Sequence, residues 1–351
     1  MKEKKKRRRS SATSVSLRNR KLIVKFLNKS FLPFGRNTKL TSEEYIYFLL
    51  KAAQANTYIE TICKQADSFH RRIETTYEEN VVETYSELIR ALVKKTSHRK
   101  VTLAIDFTDE PFYGETRTLH THNIKHENGY GAVFKYAVLS IVDHEKSLPL
   151  LSLPVRVGAY KSKVIRQLLL FAKSILDIRL VLMDRGFYSA DVIATFQKLH
   201  VKYLILVPKN KAVKRYIADT FTFNEFDHEL VLRENKSTYT IQTRIIVVRH
   251  YDEFDWTFAT NLSRQKAIWY IVTYKKRWQI ETNFRVEDEA HIKSKSTNYL
   301  VRYFYFTLSL LLHAIWLVYE KTRMPFKAFL ITTYEHLLFS LMGIDYIIEG
   351  T

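Results

Sequence analysis

The sequence predicts an α/β protein in which a mixed sheet is flanked by helices, carries a β-rich insertion and follows an N-terminal helical region. Three observations support this class. Apolar stripes at helical spacing dominate residues 41–97. From residue 101 onward, continuous apolar runs of strand length alternate with amphipathic helices. Residues 221–260 alternate in polarity like strands, and residues 264–351 are helical again.

Length and composition narrow the choice of protein class. The chain has 351 residues, enough for two domains or one large domain with a small addition. Its 56 Lys and Arg against 36 Asp and Glu give a net charge of +20, which favours a polyanionic partner such as nucleic acid. Ribosomal and membrane-surface proteins share such a balance. A single cysteine, Cys63, argues against a disulfide framework or a thiolate metal site and fits a reducing cytoplasm.

Neither a secretory signal nor a membrane span is predicted. The chain opens with the basic run 4–9 and has no apolar segment behind it. The apolar stretch 303–318 is one candidate span, but 16 helical residues cover only about 24 Å, less than the roughly 30 Å hydrocarbon core. We therefore interpret this stretch as a buried core helix.

The N-terminal third divides into an arm and a helical region. Residues 1–40 are predicted to be a basic, disordered arm; contact with phosphates and nuclear localisation are the functional alternatives. Residues 41–98 form the predicted helical DNA-binding region, with helices near 41–53, 56–66 and 78–96. Thr41 and Glu44 have capping-box spacing. A break at Asp67-Ser68 before basic residues 70–72 permits a helix-turn-helix, with plain helix packing as the alternative.

A second domain is predicted over residues 99–320, with a β-rich insertion at about 210–262 and a helical C-terminal tail at 321–351. Strands are expected at 101–106, 134–142, 150–157, 179–184 and 203–207, helices at 162–175 and 190–199, and a polar loop at 116–131.

Three acidic residues are the best candidates for chemistry. Asp106 and Asp184 each follow an apolar strand, and sites in open α/β sheets lie at the carboxyl ends of strands. Glu281, on a later helix, can reach the same edge. Three converging carboxylates require a cation, and hard oxygen ligands suit Mg²⁺ or Mn²⁺. Two ions about 4 Å apart would serve phosphodiester displacement. The alternative is that each aspartate caps the turn after its strand.

The stretch 274–285 places Glu281 among cations. At helical spacing, Tyr274, Arg277 and Glu281 share one face, with Trp278 and Phe284 as anchors to a core. Arginine can hold a phosphate with two bonds, and tyrosine can stack or donate. A surface ion pair between Arg277 and Glu281, beside a packed core tyrosine, is the alternative.

These blocks resemble the DDE transposases of bacterial and archaeal insertion sequences, in the subtype with a Tyr-x2-Arg-x3-Glu-x6-Lys signature. Matching segments are Ala104-Ile105-Asp106, Asp184-Arg185-Gly186-Phe187-Tyr188, Thr260-Asn261 and the residues Tyr274, Arg277 and Glu281. The resemblance implies a ribonuclease H-like fold, cleavage at element ends by metal-activated water, and attack of the freed 3′-hydroxyl on target DNA. It also implies that Tyr274 and Arg277 contact DNA.

One position departs from the signature, because Asp288 stands where its lysine belongs, in an acidic neighbourhood. Lys293 or Lys295 is a candidate substitute, and Arg185 is a candidate for positioning phosphate. Two other functions are compatible with the sequence: a nuclease that cuts without joining, and a catalytically dead DNA-binding descendant. A transposase would act on element ends and target DNA, as a homodimer on paired ends, in the cytoplasm with the nucleoid.

Several other residues are weaker candidates for metal or DNA binding. Asp109 and Glu110 are alternative metal ligands. A loose histidine cluster permits a zinc site, and two lysines after the fifth strand could contact DNA. The members of these last two groups are His120, His122, His126, Lys209 and Lys211.

Overall fold

The computed structural model describes residues 19, 21–26, 29, 41–96, 100–115, 117–142, 147–234, 237–319 and 324–342. Most of the predicted arm 1–40 and part of the predicted tail 321–351 lie outside these ranges. The chain divides into two compact units, Met1–Leu92 with Val286–Thr351, and Val93–Arg285. We call them the helical unit and the sheet unit. These limits differ from the predicted domain boundaries at 98 and 320, which remain predictions.

The elements follow one another in this order. They are α1 (Ser42–Ala55), α2 (Ile59–Ile62), α3 (Ala66–Glu74), α4 (Glu78–Val93), β1 (Val101–Phe112), β2 (Thr121–Glu127), β3 (Tyr130–Ile141), β4 (Leu148–Pro154), α5 (Lys161–Lys173), β5 (Ile178–Met183), a 3₁₀ turn (Arg185–Phe187), α6 (Ala190–Lys198), β6 (Tyr203–Leu206), α7 (Lys211–Ala218), β7 (Phe223–Glu234), β8 (Ser237–Tyr251), β9 (Phe254–Thr260), α8 (Ala267–Lys275), α9 (Trp278–Asp288), α10 (Tyr299–Tyr319) and α11 (Phe326–Leu341).

The start of the helical unit follows its local sequence. The Thr41 hydroxyl accepts from the Glu44 N–H at 3.2 Å, and the Glu44 carboxylate accepts from the Thr41 N–H at 2.7 Å, which confirms the capping box. The predicted break at Asp67-Ser68 is wrong, because α3 begins at Ala66 and runs through both residues. His70 is buried and forms a hydrogen bond with the Tyr305 hydroxyl at 2.9 Å. It therefore packs in the core, as expected if this segment packs as an ordinary helix and not as a helix-turn-helix.

Helix α10 is the most apolar element of the helical unit. By length and composition it could cross a membrane, but 94% of its 18-residue window is buried. The core helix of a folded domain passes the same test. Its burial agrees with the interpretation of this stretch as a core helix.

The sheet unit is built on one mixed sheet. Within the described residues its strands follow the order β2-β3-β1-β5-β6-β9-β8-β7, and β4 also pairs with β3. Strands β1, β5 and β6 are parallel, and the strands on both sides of them join antiparallel. The predicted insertion therefore extends the central sheet, because β9 pairs with β6. Two elements were not predicted: strand β2 inside the expected loop 116–131, and helix α7.

Strand β1 is longer than its apolar run predicts. The run 101–106 was expected to end at Asp106, but the strand continues to Phe112. Its parallel pairing with β5 stops at Ile105 opposite Met183, whereas its antiparallel pairing with β3 continues to Phe112. Asp106 thus lies inside a strand, one residue beyond the last parallel pair.

The Thr260-Asn261 segment has a structural role at the end of β9. The Asn261 side chain accepts from the Tyr203 N–H and donates to the Val201 carbonyl, each at 3.0 Å. The Thr260 hydroxyl donates to the Tyr203 carbonyl at 2.7 Å. These bonds fix the start of β6, the strand next to β5, to the end of β9.

We expect Asn261→Ala to lower the free energy of unfolding by about 1–3 kcal/mol, because two partly buried backbone groups lose their partner. Denaturant unfolding of the purified chain measures this. Asn224→Ala, at an exposed position of β7, is the matched control and should change stability by no more than about 0.5 kcal/mol. Equal effects of the two substitutions would contradict the role given to Asn261.

Candidate active site

Asp106 and Asp184 occupy neighbouring positions on adjacent parallel strands. Each follows directly on the last paired residues, Ile105 and Met183. Adjacent strands lie about 4.8 Å apart, so the register brings the two aspartates to one edge of the sheet. The Asp184 carboxylate also accepts from the Gly186 N–H at 2.9 Å and caps the 3₁₀ turn. Asp184 therefore caps a turn, as in the alternative considered from the sequence, and also lies at the edge of the sheet.

The backbone around Asp184 is held by groups that the sequence did not single out. Lys161 at the start of α5 donates to the Gly186 carbonyl at 2.5 Å and lies 6.0 Å from the Phe187 ring centre. The Phe187 ring in turn contacts Phe107, with 4.7 Å between ring centres. A Cβ at residue 186 would lie 3.2 Å from the Asp184 carboxylate, so glycine leaves room for this turn. The two aspartate-bearing segments are thus tied together by their following aromatic residues.

The stretch 274–285 is not one helix, contrary to the prediction. Helix α8 ends at Lys275 and α9 begins at Trp278, so Arg277 lies in the turn between them. The Arg277 N–H bonds the Tyr274 carbonyl, and the Ile280 N–H bonds the Arg277 carbonyl, both at 2.9 Å. These i→i+3 bonds are tighter than those of an α-helix.

Arg277 joins two of the three predicted acidic residues. Its Nη1 donates to Asp106 Oδ2 at 2.9 Å, and its Nη2 donates to Glu281 Oε1 at 2.6 Å. Its side chain is only 8% exposed, and its buried Nε has no hydrogen-bond partner among the residues that the structure describes. In place of the surface pair considered from the sequence, a buried guanidinium thus links the half-exposed Glu281 to Asp106.

The charge balance at Asp106 is unfavourable for its ionised form. Burial raises the pKa of Asp106 to about 6; the negative charges of Asp184 and Glu281 add to the rise, while Arg277 opposes it. Asp184 and Glu281 therefore both act electrostatically on Asp106. Glu281 is the most accessible of the three, with 49% of its side chain exposed, whereas Asp106 and Asp184 are partly buried.

Tyr274 is a core residue, as the alternative from sequence proposed. Only 2% of it is exposed, and its ring lies 5.1 Å from Phe258 and 6.1 Å from Trp256 between ring centres. Burial raises the pKa of its hydroxyl to about 12. Trp278 is 45% exposed and does not anchor the stretch, whereas the partly buried Phe284 packs against the core. In this conformation the Tyr274 ring is not available for stacking on a base.

The other predicted DNA contacts are spread over both units. Arg185 is exposed beside Asp184 in the sheet unit. Lys293 and Lys295 are exposed in the helical unit, where their backbone groups bond to Thr57 and to Glu60. Their role in place of the signature lysine remains a prediction.

The acidic neighbourhood of the signature position is not one surface patch. Glu287 is buried in the helical unit, with its Oε1 3.3 Å from His313 Nδ1, and burial raises its pKa. Asp288 and Glu289, by contrast, are exposed. Of the three acidic residues around the missing signature lysine, only Asp288 and Glu289 thus face solvent.

The weaker candidates have other partners. Asp109 pairs with Lys135, and Glu110 accepts from the Tyr136 hydroxyl at 2.7 Å. His122 lies on β2, with its Nε2 2.7 Å from the Val155 carbonyl. Across the described ranges, no group of three or more His, Cys, Asp or Glu residues is arranged to hold a metal ion. The histidine cluster considered from the sequence is therefore not such a group.

The chemistry of the three carboxylates nevertheless fits a divalent cation. Asp106, Asp184 and Glu281 supply only hard oxygen donors, the ligands that Mg²⁺ and Mn²⁺ prefer. Burial and the charges of Asp184 and Glu281 raise the pKa of Asp106 despite Arg277, so a further cation nearby would stabilise its ionised form. Since Arg277 lies between Asp106 and Glu281, it must give way for a cation to contact both.

Comparison with known proteins identifies the class. The chain matches the transposase DDE domain family over residues 97–315, more than half of its length. A solved structure, the cryo-EM structure of a piggyBac transposase synaptic complex with hairpin DNA, superposes with a TM-score of 0.63 at 11% identity, covering 96% of this chain and 86% of the other. No protein with a curated description matches the chain.

The sheet thus has a ribonuclease H-like fold, and the family is one of enzymes that cleave DNA and transfer strands. The chain is a member of the DDE transposase family. The predictions of fold class and of transposase function are confirmed.

The raised pKa of Asp106 leads to a stability prediction. A carboxyl group that titrates near 6 when folded and near 3.8 when unfolded favours folding below about pH 4, and loses that contribution as the pH rises through 6. In metal-free buffer, Asp106→Asn should therefore raise the free energy of unfolding by about 3 kcal/mol at pH 7.5 and leave it nearly unchanged at pH 4.

Denaturant unfolding in chelator at the two pH values measures this difference. Asp109→Asn on the same strand is the control, and loss of its exposed ion pair should cost no more than about 1 kcal/mol at either pH. Destabilisation by Asp106→Asn at pH 7.5 would show that the buried carboxylate is adequately compensated by Arg277 alone.

Proposed function

We propose that Asp106, Asp184 and Glu281 are the catalytic and metal-binding residues of this transposase, which cleaves DNA at the ends of its element and joins the freed 3′-hydroxyl to target DNA. One observation carries the assignment. Ile105 and Met183 pair with each other on adjacent parallel strands, and Asp106 and Asp184 are the residues that follow them. Arg277 links Asp106 directly to Glu281. Three acidic residues far apart in sequence thus share one electrostatic environment.

The proposed cofactor is Mg²⁺ or Mn²⁺, with two ions. When bound, such ions would supply Lewis acidity for the attacking and leaving oxygens of a phosphodiester. The protein's own contribution is placement. The strand pair fixes Asp106 and Asp184, whereas Glu281 stands on α9 just after a tight turn and is half exposed. Once its carboxylates are engaged elsewhere, Arg277 has N–H groups free for a phosphate oxygen.

The proposed partners follow from this chemistry. DNA is the substrate, as element ends and as target, and the net charge of +20 favours its approach. DNA is also present in the complex of the piggyBac transposase that the chain resembles in fold. A homodimer on paired ends and a location in the cytoplasm with the nucleoid complete the proposal. Arg185, Lys293 and Lys295 are proposed as contacts to the DNA backbone.

Asp184→Ala should abolish strand cleavage while leaving DNA binding largely intact, because it removes a metal ligand and no phosphate contact. Loss of several kcal/mol of transition-state stabilisation corresponds to at least about 10³-fold in rate. The substrate is a labelled duplex that carries the sequences flanking the gene, incubated with Mg²⁺ or Mn²⁺. Gel analysis separates nicked, cleaved and joined products, and a binding assay runs in parallel.

Asp109→Ala serves as the matched control, because this aspartate lies three residues beyond Asp106 on the same strand and pairs with Lys135. It should retain cleavage. Cleavage by Asp184→Ala at the wild-type rate would refute the assignment, and equal losses in both variants would show that Asp109 belongs to the site. Cleavage by the wild type without joined products would instead favour a nuclease.

A further inference from the structure

A groove of about 380 Å³ lies in the sheet unit, apart from the three carboxylates. Its walls come from three elements that are distant in sequence: the start of α5, helix α6 and the outer part of β7. The Gln197 side chain donates to the Gln242 carbonyl at 2.6 Å and holds α6 to the hairpin formed by β7 and β8. The groove is thus built into the fold.

Positive charge dominates this groove. Lys163 from α5, Lys198 from α6 and Arg233 from β7 line it, and all three are exposed. Within the described part of the chain, none of the three forms an ion pair. Among the lining residues that the structure describes, Asp191 is the one acidic residue, and its carboxylate already accepts from the Ser189 hydroxyl at 2.5 Å. Three unpaired cations converging from separate elements favour an anion with several charges.

The groove also offers an aromatic surface. Tyr160 is 65% exposed at its entrance, and the Lys163 ammonium lies 5.1 Å from the centre of its ring. Cations interleaved with exposed aromatic rings are typical of surfaces that follow a nucleic-acid strand. A sugar-phosphate backbone fits such a surface better than an isolated anion does.

The groove starts next to the candidate active site. Lys161, two residues before Lys163, donates to the carbonyl of Gly186 in the turn that Asp184 caps. From there α6 leads away from the carboxylates, and Asp191 to Lys198 spans about 10 Å of helix. A strand that leaves Asp184 along α6 would therefore reach the groove that Lys163, Lys198 and Arg233 line.

We propose that this groove binds the phosphodiester backbone of a DNA strand that extends from the carboxylates, with Lys163, Lys198 and Arg233 as phosphate contacts. The inference rests on the proposed function, since it takes DNA as the substrate. It adds a binding surface outside the residues proposed for catalysis and outside Arg185, Lys293 and Lys295. Asp191 limits the net charge of the groove and so sets its affinity.

The test is the salt dependence of DNA binding by the full chain, without divalent metal so that no cleavage occurs. The variant Lys163→Ala/Lys198→Ala/Arg233→Ala is compared with a control that loses equal charge from exposed positions elsewhere in the sheet unit, Lys100→Ala/Lys125→Ala/Lys214→Ala. Anisotropy titrations use a random-sequence duplex and a single strand of equal length. Circular dichroism verifies that both variants are folded.

For duplex DNA, loss of three phosphate contacts should flatten the plot of log affinity against log salt by about 2.7 units. Between 50 and 200 mM salt, wild-type affinity should then fall about 40-fold more than that of the groove variant, while the control keeps a slope near the wild type. Asp191→Asn should bind more tightly than the wild type. A change confined to the duplex or to the single strand identifies the form of DNA that the groove holds.

Equal slopes for the groove variant and the wild type would overturn the proposal, and so would equal losses in the groove and control variants. Neither result bears on the carboxylates, whose role is read from cleavage by Asp184→Ala. If the wild-type chain binds neither the duplex nor the single strand, the proposed function is refuted, and this inference with it.

Discussion

The repulsion among three acidic side chains, balanced by one buried arginine, is the interaction on which the site depends. Asp106 is buried between like charges, and its raised pKa records the cost of ionising it there. The guanidinium of Arg277 donates to both Asp106 and Glu281 and so links the two carboxylates. In the proposed function, a divalent cation would take over this compensating role from Arg277.

The fold supplies this arrangement through pairing and local breaks in regular structure. Parallel register places Asp106 beside Asp184, and the side chain of Asn261 fixes the next strand along. A tight turn between α8 and α9 then directs Arg277 inward while Glu281 stays half exposed. An uninterrupted helix would have distributed these side chains differently, so the break is part of how the site is built.

Much of the fold and the choice of acidic residues could be predicted from sequence. Apolar runs of strand length located β1 and β5, because parallel strands that are buried on both faces consist almost entirely of apolar residues. The end of β1 could not be predicted, because antiparallel pairing with β3 carries polar residues onward to Phe112. The break at Lys276 was hidden because both flanking segments keep helical spacing. The contact of Lys161 with Gly186 joins residues 25 apart, and no local pattern marks it.

The central claim is that Asp106, Asp184 and Glu281 form one cation site in which Arg277 is the resident positive charge. Calorimetric titration of the metal-free chain with Mn²⁺ at pH 7.5 tests it most directly. Single variants Asp106→Asn, Asp184→Asn and Glu281→Gln should each weaken binding by at least about tenfold, the equivalent of 1.4 kcal/mol. Arg277→Met should leave binding intact or strengthen it. Wild-type affinity in all three carboxylate variants would contradict the claim.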